Sequence, residues 1–167
     1  MDITLHQLDE ALLQQLLEAA ISDADPLEVM PAIEGPKGWT VQRQLAFLRF
    51  HQTRSLSDRP VETTYAIREE GNVIGAARLA PITGTVASVE AGIWLGRSYR
   101  SMGRGSAVFG QLVEVARDLG ARRMFASTTA SNAPMRRLLT ALGAAVSVED
   151  GEVSAWLDLS ERRRFRG

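Results

Sequence analysis

The sequence contains no cysteine among its 167 residues, and this absence excludes several kinds of chemistry. Without a thiol, the protein cannot use a cysteine nucleophile, a disulfide framework or a thiolate metal site. Histidine is also scarce, because His6 and His51 are the only two and lie far apart in the chain. We therefore expect no metal site, and a Ser-His-Asp triad has few candidates.

A strong net charge and a long apolar run are also missing. The formal net charge is -1, which gives no reason to expect nucleic acid or a membrane surface as a partner. No apolar stretch reaches the ~18 residues of a transmembrane helix, and the first residues, MDITLHQLDE, are acidic where a secretory signal would be basic. We expect a cytoplasmic protein. The basic cluster ERRRFRG at 161–167 is expected to be a solvated tail.

The periodicity of the apolar residues predicts an α/β domain. Hydrophobic residues make up 45% of the chain, enough for a sizeable core. A short strand and an amphipathic helix occupy the start, a second helix follows the capping residue Thr40, and residues 63–95 alternate like three strands. A helix ending at Gly120, a buried strand, a helix starting near Pro134 and a final hairpin complete the chain. This order predicts layered helices around a mixed sheet.

One segment, YRSMGRGSAVF, places glycines and arginines where a strand passes into a helix. The first N–H groups of a helix lack internal partners and carry partial positive charge, so anionic phosphates bind well there. Gly103 and Gly105 would let a phosphate approach the backbone, and Arg100 or Arg104 could add charge. By spacing alone the signal is weak. It is neither a Walker A loop nor the dinucleotide-binding fingerprint.

The pattern Arg-x-x-Gly-x-Gly at Arg100, Gly103 and Gly105 resembles the acyl-CoA-binding motif of the GNAT family of N-acetyltransferases. A second segment, TTASNAPMRRLLTALGA, is similar to another motif of that family, and Asn132 and Gly143 fit it. The resemblance covers the whole chain in element order and is closest at about 86–148. It implies a single domain over 1–167 with the GNAT-like fold, a mixed and mostly antiparallel central sheet flanked by helices. Two of its strands would splay apart to admit coenzyme A.

The resemblance implies acetyl-CoA as the cosubstrate and assigns residues to it. The backbone of the strand before the loop would pair with the pantetheine arm, at Ile93, Trp94 and Leu95. Asn132 would lie near the pantetheine and the thioester. The pyrophosphate would rest on the backbone of the loop, which comprises Arg100, Ser101, Met102, Gly103, Arg104, Gly105 and Ser106.

The resemblance also suggests how the amine would be activated. Glu90, in the strand that runs into the cofactor loop, would act as the base, often through a water; an outward-facing strand residue is the alternative. A backbone N–H, that of Leu95, would polarise the thioester carbonyl. Direct transfer is expected because no cysteine is available. The family's tyrosine acid is replaced by Leu139, which leaves water or a hydroxyl such as that of Ser131.

The acceptor site is expected at about 1–60, where the resemblance places the acceptor-side helices and loop. Glu28, Glu34 and Trp39 offer acidic and aromatic walls for a cationic amine, although an ordinary surface loop is the alternative. The leading hypothesis is acetylation of a primary amine of a small molecule. Acetylation of a peptide or protein N-terminus, or a catalytically idle acyl-CoA-binding module, remain alternatives. A homodimer is compatible with such folds.

Overall fold

The computed structural model describes residues 2–84 and 86–160, so the basic cluster at 161–167 lies outside the described residues. Strands and helices follow one another in the predicted order, with one additional short helix between the two predicted near the start. The strands are β1 (Ile3–Gln7), β2 (Thr63–Glu69), β3 (Asn72–Ile82), β4 (Ser88–Leu95), β5 (Arg123–Thr129), β6 (Ala145–Glu149) and β7 (Glu152–Asp158). The helices are α1 (Glu10–Asp23), α2 (Pro26–Val29), α3 (Val41–Arg54), α4 (Arg104–Asp118) and α5 (Ala133–Ala141), with a 3-10 turn at Arg97–Tyr99.

Local capping residues explain where the helices begin. The side chain of Asp9 accepts a hydrogen bond from the N–H of Leu12, and that of Thr40 accepts one from Arg43, as predicted for Thr40. Helix α2 was expected to be loop. It forms because Asp25 caps a single turn whose first residue is Pro26, and proline suits that position.

The strands form one seven-stranded sheet in the order β1-β2-β3-β4-β5-β7-β6. Neighbouring strands are antiparallel except for β4 and β5, which are parallel. The mixed, mostly antiparallel sheet expected from the sequence is therefore confirmed. Strands β3 and β4 pair along the whole of β4, from Ser88 to Leu95. Strands β4 and β5 pair only over Ser88–Glu90 and Arg123–Phe125, and beyond that point they diverge.

Helices cover both faces of this sheet. On one face, α1 and α3 bury apolar residues such as Leu16 and Phe47 against the sheet. On the other face, α4 and α5 bury residues such as Leu112 and Leu139. No helix in the described ranges is long and apolar enough to cross a membrane.

Close contact with β3 holds β4 in place at its C-terminal end. A Cβ atom on Gly75 of β3 would lie 2.1 Å from the carbonyl oxygen of Trp94, so only glycine allows this approach. The N–H of Gly96 continues the pairing by donating to the carbonyl of Ile74 at 2.9 Å. Strand β4 is thus fixed on its β3 side while its other edge opens into a cleft.

Candidate active site

The free edge of β4 presents backbone groups to the cleft that separates it from β5. Backbone groups alternate in direction along an antiparallel strand, so the hydrogen bond from Gly96 to Ile74 sets the direction of the residues before it. Trp94 directs its N–H and C=O toward β3. Ile93 and Leu95 direct theirs toward the cleft, where a bound chain could pair with them.

This cleft, called here the β4–β5 cleft, has a volume of about 390 Å³. Its walls are formed by the two diverging strands, the first turns of α4 and one face of α5. Many of the predicted cofactor residues lie in it, namely Ile93, Trp94, Leu95, Arg100, Gly105 and Asn132. It is also lined by residues that the sequence did not single out for this role, namely Ala91, Gly92, Phe109, Ala126, Ser127, Thr128 and Met135.

The glycine-rich loop leads into helix α4 with its main chain uncovered. Ser101 and Gly103 have positive φ angles of 66° and 80°, and Gly103 has no side chain to cap the helix that it starts. The first intrahelical hydrogen bond is donated by Ala107 to the carbonyl of Gly103. The N–H groups of Gly105 and Ser106 precede this bond, so they meet the requirement for binding an anion at the helix N-terminus. The predicted loop residue Met102 is 66% exposed beside them.

The two arginines of this loop make protein contacts with their side chains. Nε of Arg100 donates to the carbonyl of Leu95 at 2.9 Å, and its Nη2 pairs with Glu28. Nε of Arg104 donates to both carboxylate oxygens of Glu69, at 2.9 and 3.0 Å. The side chains therefore fasten the loop to β4, α2 and β2. Because both guanidinium groups are paired with glutamates, the positive charge that a phosphate would meet at the start of α4 comes mainly from the main-chain N–H groups.

Asn132 holds together the end of β5 and the start of α5. Its Oδ1 accepts a hydrogen bond from the N–H of Met135, and its Nδ2 donates to Oγ1 of Thr128 at 3.0 Å. Leu139, at the family's tyrosine position, is 1% exposed and lines the cleft with carbon atoms only. The hydroxyl of Ser131 lies 3.0 Å from that of Thr129 and outside the cleft wall.

A second cavity of about 390 Å³ lies on the opposite face of β4, toward α2 and α3. We call it the acceptor-side cavity. It shares with the β4–β5 cleft the residues Glu28, Gly92, Ile93 and Trp94. Its remaining walls are mostly apolar or aromatic and comprise Val29, Met30, Pro31, Phe50, His51, Thr64, Ala76, Ala77 and Arg78. The two cavities therefore meet at Gly92–Trp94, in the C-terminal half of β4.

A network of ion pairs borders the acceptor-side cavity. The carboxylate of Glu62, whose side chain is 1% exposed, pairs with Nε of Arg54 at 3.1 Å and with Nη1 of Arg78 at 3.3 Å. Nη2 of Arg78 also contacts Oε1 of Glu90 at 2.9 Å. Glu90 shares a face of β4 with Gly92 because side chains alternate along a strand. It is not in the wall of either cavity and reaches the acceptor-side cavity through Arg78.

The three predicted acceptor residues separate in the structure. Glu28 lies where the two cavities meet, and its hydrogen bond with Arg100 holds the pKa of its carboxyl below its ordinary value. Glu34 is exposed and lines neither cavity. Trp39 packs edge-on against Phe47 and donates its Nε1–H to the carbonyl of Ala24 at 2.9 Å. Trp39 lines neither cavity.

One buried side chain binds the carbonyls of the loop that contains Glu34 and precedes α3. The guanidinium of Arg43 donates to the carbonyls of Ile33, Pro36 and Gly38. These contacts fold the loop against α3.

Comparison with known proteins shows which family the chain belongs to. The model described as the Acetyltransferase (GNAT) family matches residues 24–144. The chain belongs to the GNAT family of acetyltransferases. It has the fold that the resemblance to this family predicted.

Relatives of this GNAT chain have assigned activities. An amino-acid acetyltransferase of Pseudomonas aeruginosa is 32% identical over 117 residues, which is 70% of this chain and 25% of that protein. The chain thus spans about a quarter of the length of the curated relatives it matches. Among solved structures, yncA of Salmonella typhimurium with its cofactor acetyl-CoA has a TM-score of 0.64 at 21% identity, over 96% of both chains. A dodecameric spermidine N-acetyltransferase of Vibrio cholerae has a TM-score of 0.68 at 13% identity, over 99% of this chain and 98% of that one.

Three titratable or charged residues in or beside the acceptor-side cavity were not assigned to the site from the sequence. Arg78 stands alone in the apolar segment GAARLA, and the cost of burying an unpaired charge could have drawn attention to it, as it did to Glu90. Glu62 belongs to an ordinary polar turn, and nothing near it in sequence signals its burial. His51 was considered only as a metal ligand or a triad member. Its burial is visible only once α3 packs on the sheet.

His51 makes stability depend on pH. Its ring is 5% exposed, and neither ring nitrogen has a hydrogen-bond partner among the described residues. Burial lowers the pKa of His51 from 6.5 to about 4, against the opposing effect of the Glu62 carboxylate. Between these two values the unfolded chain binds a proton that the folded chain does not. The free energy of unfolding should therefore fall as the pH drops from about 6.5 to 4, by about 3 kcal/mol from this residue.

Urea unfolding at several pH values measures this effect against the His51→Leu variant, which should lose that share of the pH dependence. The matched control is His6→Gln, which removes the other histidine, on β1. If the slope between pH 6.5 and 4 is the same in wild type and His51→Leu, the assignment to His51 is wrong.

Proposed function

We propose that this protein is an acyltransferase that transfers an acetyl group from acetyl-CoA directly to a primary amine of a small molecule. One observation carries the proposal: two cavities on opposite faces of β4 meet at Gly92–Trp94, just where β4 and β5 diverge. An acyl donor in one cavity and an amine in the other would come into contact there. Positioning two reactants in this way removes much of the entropic barrier to their reaction.

The residues of the β4–β5 cleft fit acetyl-CoA. A Cβ atom on Gly105 would have only Cδ1 of Leu95 near it, at 4.0 Å, so the helix start is bare on its cleft side. The N–H groups of the loop would hold the pyrophosphate, and the cleft-facing N–H and C=O of Ile93 would pair with the pantetheine amides. When bound, acetyl-CoA supplies an activated acyl group and a thiolate that leaves readily.

Main-chain and carboxylate groups would supply the rest of the chemistry. The N–H of Leu95 is directed into the cleft and can stabilise negative charge on an oxygen held there. Glu90 is the proposed base, which would take a proton from the amine through water, because an ammonium cannot act as a nucleophile. Its contact with Arg78 gives it a second candidate role, which is to orient that guanidinium.

The departing thiolate needs a proton, and Leu139 cannot supply it because leucine stands where the family has a tyrosine. Among the described residues, Ser127 and Thr128 place hydroxyl-bearing side chains in the cleft wall. Thr128 is half-buried, whereas Ser127 is exposed and water can reach it. We propose that water, or the hydroxyl of Ser127, provides this proton.

Thiol release from acetyl-CoA against a panel of amines tests the proposal. The panel spans amino acids, polyamines, aminoglycosides and short peptides, and release without any amine gives the background. We expect at least one small amine to raise the rate well above background. Turnover confined to peptides would favour the alternative of an N-terminal acetyltransferase. Tight binding of acetyl-CoA with no turnover on any amine would indicate an idle binding module.

A further inference from the structure

We propose that the amine acceptor also carries a carboxylate, as an amino acid does, and that Arg78 binds this carboxylate. The inference rests on the proposed function, because it names the acceptor class of the same site. It depends on the charges around the acceptor-side cavity and on the position of one guanidinium.

Arg78 reaches the point where the two cavities meet. Its side chain crosses β4 over Gly92, where a Cβ atom would lie 2.8 Å from Nε of Arg78. A larger residue at position 92 would displace the guanidinium, so the glycine makes room for it. Arg78 also forms part of the cavity wall, and its side chain is 36% exposed. A ligand in the cavity can therefore touch it.

The guanidinium of Arg78 still has donors to offer. It carries five N–H groups, and its contacts with Glu62 and Glu90 use one on Nη1 and one on Nη2. Glu62 and Glu90 bind the two terminal nitrogens of the guanidinium, and these two contacts fix the orientation of its plane. The remaining N–H groups can bind a carboxylate, and the fork of an arginine matches the two oxygens of such a group.

The carboxylates near the cavity are already compensated. Glu28 pairs with Arg97 and Arg100, and Glu62 pairs with Arg54 and Arg78. A polyamine, with several positive charges and no negative one, would need unpaired carboxylates to replace its hydration. None lines this cavity in the part of the chain that the structure describes.

The rest of the wall agrees with an acceptor of small size and mixed character. Apolar and aromatic side chains such as Met30, Phe50 and Trp94 can cover a side chain or methylene groups. His51 adds no charge, since burial keeps its ring neutral at physiological pH. A volume of about 390 Å³ is near the lower end of the range of ligand sites. An amino acid or a close analogue meets these conditions.

Matched pairs of acceptors test the inference. Each pair is an amino acid and its primary amide, which share the amine and the side chain and differ in the carboxylate; spermidine is tested beside them. For wild type we expect kcat/KM to favour the amino acid over its amide by about tenfold or more, a typical effect of one charge-assisted pair. Arg78→Lys should reduce this preference mainly through KM. Gly92→Ala, which displaces Arg78 without changing any charge, should do the same.

Two controls keep the outcomes distinct. Arg49→Lys, on an exposed position of α3, should leave the preference unchanged. Binding of an N-acetylated amino acid and of its amide, measured by calorimetry, repeats the comparison without turnover. Equal or better use of amides or spermidine by wild type would overturn the inference and leave the proposed function standing. If no amine is turned over, the proposed function fails, and calorimetry still decides whether Arg78 binds a carboxylate.

Discussion

Gly105→Val is expected to weaken acetyl-CoA binding by about a hundredfold or more while the protein still folds. Gly105 lies at the start of α4 and lines the β4–β5 cleft, so the added methyl groups would occupy the space in which a phosphate must approach the N–H groups. The fold should survive because a Cβ atom at this position meets only one side-chain carbon, 4.0 Å away. Each charge-assisted hydrogen bond lost to the phosphate costs about 1.5–3 kcal/mol, and more than one would be lost.

The matched control for this substitution is Gly110→Val in the same helix. A Cβ atom on Gly110 has nothing within 4 Å, and Gly110 does not line the β4–β5 cleft. Isothermal titration with acetyl-CoA gives the affinity, and circular dichroism checks that both variants are folded. Unchanged affinity in a folded Gly105→Val protein would contradict the assignment of the loop.

Glu90→Gln is expected to lower kcat by about a hundredfold at neutral pH with little change in acetyl-CoA affinity. A positioned base typically contributes about 10²–10⁴ in rate, and Glu90 would act through water, which favours the lower end of that range. The loss should shrink as the pH rises, because more of the amine is then already neutral. The pH profile of kcat for wild type and variant measures this directly.

The alternative role of Glu90 predicts a different pattern. If Glu90 only orients Arg78, the variant should raise KM for the acceptor, and the effect should persist at high pH. Glu149→Gln, on an exposed position of β6, is the matched control and should behave as wild type. A Glu90→Gln protein as fast as wild type at neutral pH would remove Glu90 from the mechanism.

The proposed cofactor side of the site could be located in the sequence because its signals are local. Gly103 and Gly105 flank the start of a helix, and the conformation that such a start requires depends on a few neighbouring residues. The resemblance to the GNAT family added the splayed strands, and the structure confirms that β4 and β5 diverge after Glu90. The direction of the Arg100 and Arg104 side chains was not predictable. Their partners, Glu28 and Glu69, come from distant segments.

The walls of the acceptor-side cavity could not be read from the sequence, because their residues meet only through packing. Glu34 and Trp39 were chosen for their charge and their ring, but contacts made by Arg43 and Phe47 of α3 place them away from the cavity. Arg78 was not singled out. Its importance follows from Gly92 on the neighbouring strand, which leaves room for it.

The sequence by itself determined the class of fold, the family and the place where coenzyme A is proposed to bind, since helix starts, strand alternation and glycine positions are properties of short segments. Only the tertiary structure decided which charges border the acceptor-side cavity. Glu62, Arg78 and Glu90 come from a turn and two strands, and Arg54 comes from α3. Whether a charged side chain is buried, paired or open to a ligand depends on neighbours that the order of residues does not reveal. The acceptor class is therefore an inference from three-dimensional contacts.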